Sequence, residues 1–282
     1  MKKTFFLIII VLFVFFETSR DSYSYEGKKL RIISLAPATT EILFALGLDD
    51  EIVGVSSFCD YPKKAQTKEK VGSFSQVNIE KVLFLKPDII FCTGLEQAPV
   101  VKKLKELNLK VYVSDPADIT GLFESIRDIG KLTRKEKEAD ALIGKMKTVL
   151  EEINTKVKRI PSKDRPKVFV EIWHDPLMTA CKGSFIDELI TLAGGINIAQ
   201  DIMRAYSYFS PEQVIKRNPD VIILTYMSQE QPLKILKARL GWKEISAVKK
   251  NRVFGDIEPN ILLRPGPRLI EGLKEIHKRF YP

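Results

Sequence analysis

The sequence predicts an α/β protein of two lobes, each built on a parallel sheet, with one long helix between them. Three observations carry this prediction. Short apolar runs alternate with helical patterns, the order of these segments repeats once along the chain, and a charged amphipathic segment separates the two series. Continuous apolar strands between helices indicate parallel sheets that are covered on both faces.

The predicted elements follow the same order in both halves of the chain. In the first half, strands are predicted at residues 31–35, 52–55, 88–91 and 110–113, and helices at 40–46, 79–85, 100–107 and 119–129. In the second half, strands are predicted at 168–172, 221–224 and 252–254, and helices at 185–193, 211–216 and 267–278.

Matched segments indicate that the two lobes share one plan. The segment NIEKVLFLKPDIIF places Glu80 seven residues before a proline and a strand, and SPEQVIKRNPDVIIL does the same for Glu212. TEILFALG and DELITLAG form a second pair, and KVYVSD and RVFGDI a third. Chance can produce any one of these pairs, but three in the same order predict a repeated α/β unit.

The amino terminus has the order of features of a secretory signal peptide. Lys2 and Lys3 precede an apolar run at residues 5–16, and small polar residues such as Ser22 follow. The run is shorter than the roughly 20 residues of a membrane-spanning helix. Export to the periplasm or another extracytoplasmic space is therefore predicted, with an uncleaved anchor as the alternative. The first cysteine is Cys59, which excludes a lipid-modified cysteine directly after the signal peptide.

The chain is accordingly divided into a signal peptide at 1–24, an amino-terminal α/β lobe at 25–132, a linker helix at 133–160 and a carboxy-terminal α/β lobe at 161–282. Apolar residues of the linker recur at helical spacing, and its opposite face is charged. A single helical crossover couples two lobes stiffly, so a small opening and closing motion is expected.

Composition excludes several classes of function. The formal net charge is +9, but the lysines are scattered among acids and no basic block is interleaved with aromatics, so nucleic acid is not an expected partner. The three cysteines have no C-x-x-C spacing and predict structural thiols or one disulfide. With two histidines in the chain, no metal site is expected.

The sequence lacks the motifs of common catalytic sites. It contains no G-x-S-x-G elbow, phosphate-binding loop, dinucleotide fingerprint or H-E-x-x-H. The histidines are His174, at a strand end, and His277, in a charged helix. No catalytic residue is predicted, and the chain is not expected to be an enzyme. A secreted hydrolase that uses His174 is the remote alternative.

Aromatic side chains are concentrated in loops near the ends of the predicted strands. Ligands of doubly wound sheets bind at strand ends, and aromatic rings stack on flat ligands. These loops carry Phe58, Tyr61, Phe74, Trp173, Met178, Tyr206, Tyr208 and Phe209. The set predicts a bulky planar ligand between the lobes. The alternative for Tyr61, Tyr208 and Phe209 is that they fill the core below the sheet.

Several segments resemble a known family. RIISLAPATTEILFALGL, VGVSSFCDYP and VGSFSQVNIEKVLFLKPDIIF in the first half, and EIWHDPLMTACKGSFIDELITLAGGINIA in the second, are similar to the periplasmic cobalamin-binding proteins of ATP-binding-cassette (ABC) importers, whose relatives bind iron–siderophores and haem. The resemblance implies the class III periplasmic binding protein fold, with two Rossmann-like lobes joined by one long helix. It implies cobalamin or a related corrinoid as the transported ligand, with no cofactor.

The same resemblance assigns residues to the pocket. Phe58, Phe74 and Tyr206 fall where the family has aromatic residues facing the ligand, and Thr93 stands where some members carry tryptophan. Met178 and the Ile172–Trp173 pair fall on further pocket positions of the family. The predicted ligand-binding residues are Phe58, Asp60, Tyr61, Phe74, Thr93, Trp173, His174, Met178, Tyr206 and Arg264.

Glu80 and Glu212 match the family's two docking acids, which meet arginines of the permease dimer. Each lies in the first turn of a predicted helix, after the N-cap residue Asn78 or Ser210. Like charges at matched sites on two lobes suit a symmetric cationic partner; the alternative is simple complementarity with the helix dipole. A monomer that delivers its ligand to a permease dimer is expected.

Two questions about the ligand stay open at this point. A ferric siderophore, haem or another metal chelate could occupy the same scaffold, and an anionic chelate would call for cationic side chains such as Arg204, Arg264 and Lys182. His174 could be a cobalt ligand or a polar, hydrogen-bonded histidine of the cleft.

Overall fold

The first lobe is built on parallel strands of almost entirely apolar residues. The computed structural model describes residues 29–226 and 232–282. The strands of this sheet are β1 (Ile32–Ser34), β2 (Ile52–Val55), β3 (Ile89–Cys92) and β4 (Val111–Val113). Their order is β2-β1-β3-β4, and the described pairings are parallel. β1 and β3 are buried along their whole length, as continuous apolar runs predict.

Helices cover both faces of this sheet. They are α1 (Pro37–Ala45), α2 (Ile79–Phe84), α3 (Ala98–Glu106) and α4 (Ile119–Thr133). Ile32 and Phe91 belong to an apolar cluster with residues of α1 and α4. Ile33 and Ile90 belong to a second cluster with residues of α2 and α3. Alternate strand residues therefore pack on opposite layers, because successive side chains of a strand point to opposite faces.

A single helix of 22 residues, α5 (Glu136–Val157), joins the two lobes. At 1.5 Å per residue it is about 33 Å long. Its buried residues Ile143 and Met146 lie in one apolar cluster with residues of both lobes. Arg134 adopts a left-handed conformation (φ 59°) at the end of α4, so the linker helix starts later than residue 133.

The second lobe has a parallel centre with an antiparallel extension. Its strands are β5 (Lys167–His174), β6 (Leu177–Ala180), β7 (Ile196–Asn197), β8 (Tyr206–Tyr208), β9 (Val221–Leu224) and β10 (Val253–Phe254). The order is β10-β9-β5-β6-β8, with β7 also paired to β5. β5, β7, β9 and β10 pair in parallel, whereas β6 is antiparallel to β5 and β8. The sequence did not predict β6, β7 and β8. Asp175 and Pro176 link β5 to β6, and so short a link joins only antiparallel strands.

Helices of the second lobe complete the two layers. They are α6 (Phe185–Leu192), α7 (Pro211–Arg217), α8 (Pro232–Lys237), α9 (Ser246–Lys249), α10 (Asn260–Leu263) and α11 (Leu269–Phe280). Ile190 and Ile276 of α6 and α11 join the cluster that contains α5. Phe169 and Trp242 belong to a separate apolar cluster on the other face of the sheet. The predicted fold class, two α/β lobes joined by one long helix, is confirmed.

The cysteines are structural thiols. Cys59, Cys92 and Cys181 are buried and free, so of the two predicted alternatives the disulfide is wrong. Burial raises the pKa of the Cys59 thiol, which keeps it protonated and unreactive.

In the described ranges, none of the helices combines the length and apolarity needed to cross a bilayer. The predicted signal peptide at 1–24 lies outside the described residues.

Candidate ligand-binding site

A cavity of about 680 Å³ opens at the carboxyl ends of the strands of the first lobe. Its wall is formed by segments that follow these strands and by the loop after α10 of the second lobe. The lining residues include Thr39, Phe58, Phe74, Thr93, Ser114 and Arg264. The cavity lies where parallel sheets place their ligands, and both lobes contribute to it.

Two aromatic rings form one wall of the cavity. Phe58 and Phe74 meet edge to face, with ring centroids 6.4 Å apart and an interplanar angle of 79°. Phe58 is 53% exposed, and Phe74 is half-buried. The structure thus brings together the two aromatic residues predicted for the pocket of the first lobe, and both retain apolar area that a ligand can cover.

A buried glutamine, which was not predicted from the sequence, holds this wall in place. Gln97 Nε2 donates to the carbonyl oxygens of Leu35 and Phe74, both at 2.9 Å. Gln97 Oε1 accepts from the backbone N–H of Thr93 at 2.9 Å, and the Thr93 hydroxyl lies 3.3 Å from Asp115 Oδ1. One side chain therefore connects the ends of β1 and β3 to the loop that carries Phe74. A glutamine in a loop gives no indication of this role in a single sequence.

Arg264 reaches the cavity from the second lobe with its charge already paired. Its guanidinium donates to Asp60 of the first lobe (Nη1–Oδ1 2.5 Å, Nη2–Oδ2 3.2 Å) and lies 3.5 Å from a carboxylate oxygen of Glu41. The hydrogen bond from Arg264 lowers the pKa of Asp60, so this carboxylate is ionised at neutral pH. The predicted residues Asp60 and Arg264 form a contact between the lobes.

Glu41 is the buried centre of this interlobe contact. Its side chain is 2% exposed and accepts from Arg268 Nε and Nη2 at 2.8 and 2.7 Å. The Arg268 guanidinium also lies 3.7 Å from the ring centre of Tyr61. The sequence offered one indication, an acid inside the apolar segment TEILFALG, because a buried charge requires a partner. Tyr61 does not line the cavity, and its contact with a ligand stays a prediction.

Three of the predicted residues of the second lobe, Trp173, His174 and Met178, lie on the hairpin of β5 and β6. Trp173 is paired with Met178 across the two strands. The ring centroids of Trp173 and His174 are 5.0 Å apart, and Tyr226 packs 6.3 and 5.6 Å from them. Trp173 is partly exposed at the edge of this aromatic group, so the hairpin presents an aromatic surface.

A buried ion pair lies beside the hairpin and was also missed from the sequence. Glu171 of β5 is fully buried, and Arg239 Nη1 and Nη2 donate to its two oxygens at 2.6 Å each. The hydroxyl of Tyr226 donates to the same carboxylate. Burial, followed by this hydrogen bond, raises the pKa of Tyr226, so its hydroxyl keeps the proton it donates. The cluster ties β5 to Tyr226, whose ring in turn contacts Trp173.

Tyr206 lies on β8, where it is paired with Ala180 of β6. Partial desolvation raises the pKa of its phenol, although the ring is exposed. Tyr208, two residues on, is exposed as well and lies on the same face of the strand. Phe209 is buried in the second-lobe core, so for Phe209 the core alternative is correct.

Apart from Asp60 and Tyr61, which belong to the interlobe contact, the predicted ligand-binding residues fall into two groups. Phe58, Phe74, Thr93 and Arg264 line the cavity. Residues carried by β5, β6 and β8 form the second group and do not line this cavity: Trp173, His174, Met178 and Tyr206. That one ligand touches both groups stays a prediction.

Glu80 and Glu212 occupy matched positions on α2 and α7. Asn78 Oδ1 accepts from the backbone N–H of Lys81 at 2.9 Å, and Ser210 Oγ accepts from that of Gln213 at 3.2 Å. Both predicted N-caps are confirmed, and both glutamates are exposed in the first helical turn. Hydrogen bonds from its own backbone N–H and from the Ser210 hydroxyl lower the pKa of Glu212, so its carboxylate is ionised at neutral pH.

Comparison with known proteins gives a consistent result. Residues 32–258 match the family model described as periplasmic binding protein. The chain is 36% identical over 271 residues to the uncharacterized ABC transporter substrate-binding lipoprotein YvrC of Bacillus subtilis, covering 94% of this chain and 84% of that protein. It is 30% identical over 248 residues to the vitamin B12-binding protein of Vibrio cholerae, covering 87% of each.

A solved structure agrees with these sequence matches. A possible iron-binding, periplasmic solute-binding protein from Staphylococcus epidermidis superposes with a TM-score of 0.80 at 33% identity, covering 90% of this chain and 100% of that one. Fold, cavity position and sequence similarity thus lead to one conclusion. The chain belongs to the periplasmic binding protein family and is a substrate-binding protein of an ABC importer.

Proposed function

We propose that this protein captures cobalamin, or a related corrinoid, between its lobes outside the cytoplasm and delivers it to the permease of an ABC importer. The observation that carries the proposal is the chemistry of the cavity wall. Phe58 and Phe74 supply apolar ring area, and hydroxyl and amide groups surround them, including those of Ser73, Gln76 and Thr93. A corrinoid has a large flat ring edged with neutral amides, which suits contact with aromatic rings and neutral hydrogen-bonding groups.

The charges of the cavity also favour a neutral ligand. Among the described residues that line it, Arg264 alone carries a positive charge. Asp60 pairs with this guanidinium at 2.5 Å, and Glu96 adds a negative charge to the wall. An anionic ligand would therefore enter without a free cation to receive it, and burying an unpaired charge is costly.

A ferric siderophore or haem is the alternative, and one comparison favours it: the similar Staphylococcus epidermidis structure is that of a possible iron-binding protein. The cavity argues against haem held through its iron, whereas a siderophore supplies its own iron ligands and is disfavoured by the charges of the wall alone. Its described lining contains no histidine, cysteine, methionine or tyrosine to coordinate iron, and the described residues contain no group of three or more His, Cys, Asp or Glu that could hold a metal ion. Arg204 and Lys182, the other predicted cations, do not line the cavity.

Equilibrium dialysis against cyanocobalamin tests the proposal. We expect one ligand per chain and a cobalamin absorption spectrum in the dialysed protein. A competition series with ferric siderophores and with haem separates the alternatives, because neither should displace cobalamin. No uptake at micromolar concentration, or a chelate that binds and that cobalamin does not displace, would contradict the proposal. His174→Ala should leave the spectrum unchanged if His174 is a polar cleft residue; a changed spectrum would make it a cobalt ligand.

Delivery depends on the docking acids in this proposal. Glu80 and Glu212 are exposed, lie on different lobes and begin equivalent helices. Two carboxylates arranged in this way suit two cationic sites on a permease dimer, and charged contacts of this type set orientation and association rate. In this proposal the protein binds and releases its ligand without changing it chemically, in keeping with a family of substrate-binding proteins.

A further inference from the structure

The two helices that begin with the docking acids are equivalent in position and in packing. α2 and α7 each start after a capping residue, carry a glutamate in the first turn and bury one valine, Val82 or Val214. Both valines follow their glutamate by two residues. The exposed faces of these helices can therefore be compared residue by residue.

The exposed faces differ strongly in their apolar character. On α2, Leu83 is 43% exposed and Phe84 is 81% exposed. They follow Glu80 by three and four residues, and such residues share one face of a helix. The separation along the axis is only about 6 Å. An exposed phenylalanine thus lies one turn from the docking carboxylate.

On α7 the corresponding face is covered or charged. Ile215, the counterpart of Leu83, is half-buried, and it lies so close to Gly241 that a Cβ there would be 3.0 Å from Ile215 Cδ1. Lys216, the counterpart of Phe84, is exposed. The segment after α8 therefore covers part of this face in the second lobe. In the first lobe, no apolar cluster of the described residues includes Leu83 or Phe84.

We propose that Leu83 and Phe84 form, together with Glu80, an apolar docking patch for the permease. The inference rests on the proposed docking role of Glu80. The permease is the occupant because the patch is continuous with that acid, and the matching acid of α7 engages the same partner. The first lobe then docks through a carboxylate and the apolar area of α2, whereas α7 itself presents a carboxylate and Lys216. On a two-fold symmetric partner the two orientations of the bound protein are equivalent, so this difference means that two identical permease subunits are contacted in different ways.

Site-specific photo-crosslinking tests the occupant directly. Phe84→p-benzoylphenylalanine keeps an aromatic ring at this position, and irradiation in cells of the source organism should yield an adduct with an integral membrane subunit of an ABC importer, identified by mass spectrometry. Met203→p-benzoylphenylalanine is the matched control, because Met203 is 77% exposed on the other lobe and lies outside both docking helices. An adduct only with a second copy of this chain or with lipid, or equal permease adducts from both positions, would overturn the proposal. This experiment needs no knowledge of the ligand.

Uptake of radiolabelled cyanocobalamin tests the contribution of Phe84 separately from the docking role of Glu80. Phe84→Ala, and Phe84→Lys as an imitation of α7, should lower uptake about ten-fold, as truncation of an interface hot spot does, while dialysis gives unchanged cobalamin affinity. Met203→Ala should change neither quantity. If Glu80→Lys abolishes uptake and Phe84→Ala does not lower it, the docking acid stands and the patch is rejected. If Glu80→Lys also has no effect, the proposed docking role fails as well.

Discussion

The two lobes present their candidate binding residues in different ways. In the first lobe these residues lie in loops beyond the strand ends, as Phe58 and Phe74 do. In the second lobe they lie on paired strands, with Trp173 and Met178 opposite each other on β5 and β6. The antiparallel extension of the second sheet accounts for the difference. One architecture can therefore present ligand-binding groups either on adaptable loops or on a hydrogen-bonded hairpin.

Each lobe secures its binding surface with a buried polar group, and the two groups differ in charge. In the first lobe, the neutral Gln97 holds the loop of Phe74 through hydrogen bonds. In the second, the ion pair of Glu171 and Arg239 lies beside the hairpin. Because an unpaired buried charge costs more than an unpaired amide, the second lobe should be the more sensitive to loss of its buried group.

Glu171→Ala is expected to cause the largest loss of stability. The substitution leaves Arg239, whose side chain is 16% exposed, without its carboxylate, and breaking a buried pair in this way costs about 3–5 kcal/mol. Denaturant unfolding followed by tryptophan fluorescence measures it, since the Arg239 guanidinium lies 4.4 Å from the centre of the Trp242 ring in the same lobe.

Glu244→Ala is the matched control for this experiment. Glu244 pairs with Lys249 in the same lobe, but both side chains are exposed, so its removal should change stability little. Equal effects of Glu171→Ala and Glu244→Ala would remove the energetic distinction between the buried and the surface pair, and with it the proposed difference between the lobes.

Gln97→Ala should have an intermediate effect, confined to the first lobe. It leaves the carbonyl oxygens of Leu35 and Phe74 and the N–H of Thr93 without their partner, and an unsatisfied buried polar group costs about 1–3 kcal/mol. Unfolding measurements should give a loss in this range, and dialysis should give weaker cobalamin binding because the Phe74 loop is released. Gln66→Ala is the control, since Gln66 is exposed in the same lobe. Unchanged affinity in Gln97→Ala would show that the loop needs no such support.

The roles of Gln97 and of the Glu171–Arg239 pair could not be predicted from the sequence, whereas most of the fold could. The strands and helices predicted for both lobes agree with the structure to within a few residues, because continuous apolar runs and helical spacing are local properties. The linker helix was recognisable for the same reason. β6 and β8 were not, since β8 has only three residues, Tyr206–Tyr208, and its strand character depends on pairing with β6.

Site residues were predictable to the extent that strand ends determine them. Phe58, Phe74 and Thr93 share one cavity as expected, because loops at the carboxyl ends of parallel strands converge. Pairing between distant residues was not predictable. Glu41 and Arg268 are 227 residues apart, and a single sequence contains no information that selects one buried partner from many arginines.

Phe58→Ala and Trp173→Ala compare loop and strand presentation in ligand binding. Each removes aromatic contact area, so we expect cobalamin affinity to fall about ten-fold, or ~1.4 kcal/mol, as measured by dialysis. Phe84→Ala is the control, because this exposed phenylalanine of the first lobe does not line the cavity. A loss in Phe58→Ala without any loss in Trp173→Ala would confine the ligand to the first-lobe cavity and exclude the hairpin from the site.

Asp60→Asn should have the smallest effect, and that effect should depend on pH. Arg264 lowers the pKa of Asp60 in the folded protein, so the pair stabilises the contact between the lobes above the usual carboxyl pKa of about 3.9. This contribution is lost as the pH falls through the lowered pKa of the folded state. Because Asp60 is about half exposed, the difference in unfolding free energy near neutral pH should be less than about 1 kcal/mol.

Unfolding of wild type and Asp60→Asn, near neutral pH and at about pH 3, checks the sign of this effect. The stability difference should be present near neutral pH and shrink in acid. Asp201→Asn is the control, because Asp201 pairs with Arg217 within the second lobe: it should show the same direction of pH dependence without changing the lobe separation seen by small-angle scattering. Since Glu41 keeps its bonds to Arg268 when Asp60 is replaced, the lobes should separate only slightly in Asp60→Asn. A large opening would mean that Asp60, rather than the buried Glu41, holds the two lobes together.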